Sequence, residues 1–180
     1  MFYTKEELHK IGFKSIGENV LISDKASIYN AKNIEIGSNV RIDDFCILSA
    51  GEGGIKLGNY IHIACYAHLI GSGPIICEDH TQISGKVSIY SSSDDFSGNY
   101  LVGPTVPKEY TNVKNKTVHL KKYVVLGCNV VVLPGVTIEE GTAIGALSLV
   151  NKDLPGYGIY GGNPLKLIKN RKNKMLNYGL

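Results

Sequence analysis

The sequence predicts an all-β solenoid, wound as a triangular coil with three short sides and about 18 residues per turn. Two observations predict it. Aliphatic residues stand at Leu120, Leu126, Val132, Ile138, Ile144 and Val150, six apart without a slip, a spacing that fits neither the helix period nor strand alternation. The same register, carried backwards, recovers four earlier coils: Ile16, Ile22, Ile28; Ile36, Ile42, Leu48; Leu57, Ile63, Leu69; and Cys77, Ile83, Ile89. About six coils result. One coil cannot bury its own apolar row, but stacked coils bury the rows as a continuous core.

Each element follows in order. Residues 1–15 read as an N-terminal cap: Thr4 and Glu7 suit a capping box for a short helix from Lys5 to Ile11, stopped by Gly12. This helix would cover the open lower end of the coil. Residues 16–155 form the β-helix domain. Its register breaks between Ile28 and Ile36, Leu48 and Leu57, Leu69 and Cys77, and Ile89 and Leu120, so every extra residue leaves at the same corner. The first three insertions are short. The fourth, the loop at 95–119, adds about 25 residues, a length that is usually functional in a compact domain. Leu154-Pro155-Gly156 then breaks the repeat. Residues 156–180 form a tail expected to carry a short helical segment, and 165–171 reads as amphipathic with a basic face.

Bulk properties narrow the classes. At 180 residues the chain is expected to be one domain. Its net charge of +3 and the lysines near its end do not argue for nucleic acid. No apolar run reaches membrane-spanning length, and the N-terminus lacks a signal-peptide core, so a cytoplasmic location is expected. The four cysteines, Cys46, Cys65, Cys77 and Cys128, match no metal-ligand spacing and are expected to be mostly buried thiols. Flat solenoid sides with polar decoration favour closed cyclic packing, and a homotrimer suits a triangular prism.

The phrases Ile36-Gly37-Ser38-Asn39-Val40, Leu126-Gly127-Cys128-Asn129 running on to Leu133-Pro134-Gly135-Val136-Thr137-Ile138, and Ile144-Gly145-Ala146-Leu147-Ser148-Leu149-Val150 resemble the hexapeptide-repeat acyltransferases. So does the exit Gly158-Ile159-Tyr160-Gly161-Gly162-Asn163-Pro164. The resemblance covers roughly residues 16 to 170 and implies a left-handed parallel β-helix, a trimer, and acetyl-CoA bound between neighbouring subunits. The segment from Tyr90 to Tyr100, with Pro104-Thr105-Val106-Pro107, resembles the sugar-modifying branch of galactoside-type O-acetyltransferases. In that branch the loop opens with a catalytic histidine. Here the position holds Asp94, and no histidine occurs from Thr81 to Val118.

Acetyl transfer to a hydroxyl needs a general base and a donor to the developing oxyanion. The chain offers His9, His62, His68, His80 and His119. His62 is the expected base, with Asp94 or Asp95 orienting its ring or holding a sugar hydroxyl; a surface or packing role for His62 is the alternative. His9 belongs to the helix, and His119 lies where the loop rejoins the coil. No nucleophile elbow surrounds Ser91, Ser93 or Ser97, so direct transfer in a ternary complex is expected. Gly127, Gly145 and Ala146 would let the pantetheine arm approach the backbone, unless they only ease tight corners. Asn163 and Pro164 would shape the turn near the adenine, and Lys152, Lys166, Lys169 and Arg171 would meet the CoA phosphates. The acceptor would lie against His68, His80, Phe96, Tyr100, Tyr110 and Asn112.

The expected function is therefore acetyl-CoA-dependent acetylation of a sugar hydroxyl. N-acetylation of a nucleotide-linked amino sugar is the alternative, since an amine demands less of a protein base, and a non-catalytic scaffold is another. A zinc hydratase would need three converging histidines; His62 and His68 lack a third in register, and no metal site is expected.

Overall fold

A computed structural model describes residues 1–179 of the chain. It is a left-handed parallel β-solenoid of about seven turns. Three sheets form its faces. The first stacks Ser15–Ile16, Ile34–Ile36, Ile55–Leu57, Ile75–Cys77, Val118–Leu120 and Thr137–Ile138. The second runs from Leu21–Ile22 through His62–Ile63 and Gln82–Ile83 to Ala143–Ile144 and Gly158–Gly161. The third runs from Ser27–Tyr29 through His68–Gly71 and Ser88–Tyr90 to Leu149–Val150.

The hexads become ladders. On the first face Ile16, Ile36, Leu57, Cys77, Leu120 and Ile138 are in register. On the second, Ile22, Ile42, Ile63, Ile83, Leu126, Ile144 and Tyr160 follow one another. The third carries Ile28, Leu48, Leu69, Ile89, Val132 and Val150. Apart from half-buried Ile16 and Ile28 at the open lower end, these ladders are buried.

Except below Ile16, where Lys14 is exposed, a second buried row lies two residues before each ladder position. On the first face it is aliphatic, from Ile34, Ile55 and Ile75 to Val118 and Val136. At the other corners it admits Cys46, Thr81, Thr142 and Ser148. The hydroxyls there bond to backbone carbonyls: Thr81 donates to Glu78 at 2.7 Å, Thr142 to Pro155 at 2.9 Å and Ser148 to Gly145 at 2.7 Å. Those bonds offset the cost of burying them.

Two of the four cysteines depart from expectation. Cys46 and Cys77 are buried, but Cys65 and Cys128 are exposed, because they fall at an outward corner. Burial pushes the Cys77 thiol up to about 12, which makes it an inert hydrophobe.

The ends match the expected caps. Helix Lys5–Ile11 begins with the Thr4–Glu7 capping box and ends at Gly12 in the left-handed region, with Leu8 buried beneath it. At the other end, Lys166–Asn170 is an antiparallel strand against Gly158–Gly161. The short helical segment lies beyond it, as a 3-10 helix at Lys174–Tyr178. Strand wins over 165–171 because the last parallel strand has a free edge to pair with.

Candidate active site

The long loop leaves the corner between the third and first faces. Its base is an antiparallel pair, Ser92–Ser93 with Lys114–Asn115. Ser91 Oγ donates to the Gly73 carbonyl at 2.7 Å, and Ser92 Oγ donates to Asn115 at 2.6 Å while accepting from the Ser72 N–H at 2.7 Å. Gly71 sits beneath, at φ +146°, where any Cβ would collide with Ser91. Glycine is required there.

Asp95 ties the two arms of the loop together. It is 8% exposed, accepts from the Ser97 N–H at 2.8 Å and from Asn112 Nδ2 at 2.7 Å, and lies 3.8 Å from Lys114 Nζ. Hydrogen bonds from Ser97 and Asn112 hold its carboxyl down to about 2. Within one chain Asp95 thus fastens the loop, its carboxylate engaged by Ser97, Asn112 and Lys114. Asn112, expected to read the acceptor, spends an amide N–H on the same bond. Because the folded pKa lies below the ordinary aspartate value of about 3.9, the bond stabilises the loop above that pH and is lost as pH falls toward 2. Proteolysis within the loop should therefore rise between about pH 4 and pH 2 in the native chain, and D95N should flatten that rise.

Asp94, its neighbour, is half-buried, and among the described residues its carboxylate accepts no hydrogen bond. Around it the loop exposes Phe96 (84%), Tyr100 and Tyr110.

The histidines do not converge. His62, outward on the second face, has Nε2 2.7 Å from Asp43 Oδ2, and Arg41 Nε donates to Asp43 Oδ1 at 2.7 Å. Burial pushes the Asp43 carboxyl up, but the bonds from His62 and Arg41 outweigh it and leave it below the usual range. Within one chain the carboxylate partner of His62 is thus Asp43, one coil below, and not the expected Asp94 or Asp95. His68 points out of the third face, between Ile47 and Ser88. His80, at φ +61°, is stacked between Tyr60 and Tyr123 with centroids 4.9 and 4.8 Å away. His119 meets Glu78 on the first face at 2.8 Å.

The corner between the second and third faces is lined by small residues. The position after each second-face ladder residue is Ser23, Asp43, Ala64, Ser84, Gly127, Gly145 and Gly161, linked coil to coil by backbone hydrogen bonds. Ser84, not singled out from the sequence, shares the slot of Gly127 and Gly145; its place after Ile83 in the register was the signal. Among the described residues its hydroxyl makes no hydrogen bond.

The two expected donor glycines differ. A Cβ at Gly127 would come within 2.7 Å of the Ala146 backbone nitrogen, whereas at Gly145 its nearest neighbour is the Tyr160 carbonyl oxygen at 3.4 Å. Gly127 is therefore demanded by packing, and Gly145 is not. G127A should lower Tm by roughly 4–8 °C through about 2 kcal/mol of overpacking. G145A should keep its Tm and raise the KM for acyl-CoA about tenfold.

Ala146 and the adjacent Leu147 are exposed on this corner. Lys152, Lys166 and Lys169 are exposed, and the Asn163–Pro164 bond is cis. Arg171 is engaged otherwise: its Nη1 donates to the carbonyls of Tyr123 at 2.9 Å and Gly141 at 3.0 Å, which latches the last strand to the first corner.

No protein-family model matches the chain. It is 53% identical over 177 residues to the dTDP-4-amino-4,6-dideoxy-D-glucose acyltransferase of Escherichia coli, covering 98% of this chain and 92% of that protein. It superposes with a TM-score of 0.92 on AntD, an N-acyltransferase from Bacillus cereus in complex with dTDP and 3-hydroxybutyryl-CoA, at 51% identity over 98% of this chain and 93% of that one. Variants of AntD at its own Asp94 and Ser84 have also been solved with coenzyme A, two of them with dTDP-4-amino-4,6-dideoxyglucose. The galactoside O-acetyltransferase of Lactococcus lactis is more distant, at 30% identity over 77% of this chain and 63% of that protein. These matches overturn the expected transfer to a sugar hydroxyl and the galactoside-type branch; the hexapeptide motifs read the fold and donor chemistry, which both branches share. The chain belongs to the left-handed β-helix acyltransferases that use acyl-CoA, and it stands with the AntD-like nucleotide-sugar N-acyltransferases.

Proposed function

We propose that this protein transfers an acyl group from acyl-CoA to the amino group of a dTDP-linked 4-amino-4,6-dideoxyhexose. The observation that carries the reading is the match over 98% of the chain to a dTDP-amino-sugar acyltransferase and to an N-acyltransferase bound to dTDP and an acyl-CoA; this chain also carries an aspartate and a serine at the numbers 94 and 84 that the AntD variants bear. Acyl-CoA supplies a thioester activated toward attack. An ammonium cannot attack, so the acceptor must shed a proton; Asp94, unpartnered on the loop, holds the amine and takes a proton from it as the C–N bond forms, and that proton passes to the CoA thiolate released when the C–S bond breaks. Ser84, with a free hydroxyl beside the line of small residues, donates to the carbonyl oxygen as charge develops there. His62, oriented by Asp43, is the second candidate proton acceptor.

Gly145 and Ala146 flank the pantetheine arm, and exposed Lys152, Lys166 and Lys169 meet the phosphates beyond the Asn163–Pro164 turn. Phe96, Tyr100 and Tyr110, the exposed aromatics of the loop, stack on the acceptor. The loop and the Ser84 line lie on different corners of one chain, separated by the width of the third face. That separation supports a homotrimer in which the loop of one chain reaches the Ser84 line of its neighbour.

The test is to incubate the protein with dTDP-4-amino-4,6-dideoxyglucose and either acetyl-CoA or 3-hydroxybutyryl-CoA, following thiol release and product mass. Acylation of the amino sugar is expected, and none of simple galactosides. Acylation of galactosides with an untouched amino sugar would overturn the reading.

A further inference from the structure

The line of small residues at the second corner is asymmetric about the level of the loop, and the asymmetry limits the donor. The loop leaves from Ile89 on the fourth coil, the coil that also carries Ser84. Above Ser84 come Gly127, Gly145 and Gly161, three further coils of about 4.8 Å each. Below it there is one coil, holding Ala64 and the exposed Cys65. The coil beneath that changes abruptly. Asp43 and Asp44 stand in the two corner positions, Asp43 bonded to His62 and Arg41 and Asp44 to Ser23 and Lys25. Phe45 follows them and stacks on Tyr66, the residue after Cys65 in the coil above, with centroids 5.0 Å apart. Over Cys65, by contrast, Gly85 contributes no side chain; a Cβ there would sit 3.8 Å from Sγ.

We infer that the coil of Ala64 and Cys65 is the acyl chamber and that Asp43, Asp44 and Phe45 are its floor, with Tyr66 closing the chamber's side, so that the enzyme takes short acyl groups of up to about four carbons and rejects longer ones. The inference rests on the proposed acyl-CoA reaction. The three-coil stretch above Ser84 accommodates the long pantetheine arm, and the thioester then lies at the level of the loop. The acyl chain must continue downward, where one coil of about 4.8 Å takes roughly three carbons beyond the carbonyl. Next comes a row of ionised, hydrogen-bonded groups, which an alkyl chain cannot displace without leaving charges unpaired. The polar floor tolerates a hydroxyl near the end of a short chain, since a carboxylate oxygen can accept more than one hydrogen bond.

The test compares acetyl-, butyryl-, hexanoyl- and octanoyl-CoA with dTDP-4-amino-4,6-dideoxyglucose as acceptor. For the unaltered enzyme, kcat/KM should fall at least tenfold between butyryl and hexanoyl. C65F should lower the ratio of the butyryl to the acetyl rate at least tenfold. Equal rates with all four donors, or an equal loss of acetyl and butyryl transfer in folded C65F, would overturn the chamber. Transfer from none of the donors would instead overturn the proposed reaction. The length series on the unaltered enzyme decides the matter even where C65F does not fold.

Discussion

D94N should lower kcat/KM for acylation of the amino sugar about 10²-fold, the usual contribution of a positioned proton acceptor, and leave Tm within about 1 °C. The stability expectation follows from the site: the Asp94 carboxylate bonds to nothing else in the described chain, so the amide replaces it without breaking a contact. AntD variants at its own Asp94 form crystals with dTDP and coenzyme A. Steady-state kinetics with H62A alongside identifies the acceptor of the proton. A loss confined to D94N assigns it to Asp94. A loss confined to H62A moves it to the imidazole that Asp43 orients. Two rates within threefold of the unaltered enzyme would leave neither as base and point to an acceptor amine that deprotonates before binding.

I63A should destabilise the protein by about 3 kcal/mol, within the range for buried isoleucine truncations, and lower Tm by roughly 10 °C. Ile63 is fully buried at the centre of the second-face ladder, between Ile42 and Ile83. A solenoid coil contacts only its neighbours, so no other part of the chain can close the cavity. I16A, at the half-buried open end under the helix, should cost about half as much. Thermal denaturation at a fixed protein concentration checks both, since any oligomer would make Tm concentration-dependent. Equal effects at the two positions would show that the ladder is not graded by burial.

The ladders were legible because a six-residue period is local: Leu120 to Val150 can be counted without knowing what stacks on what. The second buried row was not, because Thr81, Thr142 and Ser148 are disguised by polarity and are buried only through their bonds to carbonyls. The Tyr60–His80–Tyr123 stack follows from the register, since each residue stands three before a ladder position, but as single residues they look unrelated. His62 shows the same limit. Its outward direction could be read, but its pairing with Asp43, 19 residues earlier, depends on how two coils superpose. The acceptor chemistry was not legible for another reason: the hexapeptide motifs encode the solenoid and the use of a CoA donor, not the nature of the acceptor.

By itself the sequence determined the winding, the corner at which every insertion leaves, and the presence of aspartate where a histidine is familiar. Hydrophobic periodicity suffices for the first two, since burial of the apolar rows admits one register; the third rests on the family resemblance. Only the tertiary structure decided what each polar side chain does. Asp95 and Asp94 are adjacent in sequence, yet Asp95 is locked by Ser97 and Asn112 while Asp94 stays free. Gly127 and Gly145 occupy the same slot of the repeat, yet the overlying backbone fills the space above one and spares the other. Distances between coils set these differences, and no one-dimensional pattern records them.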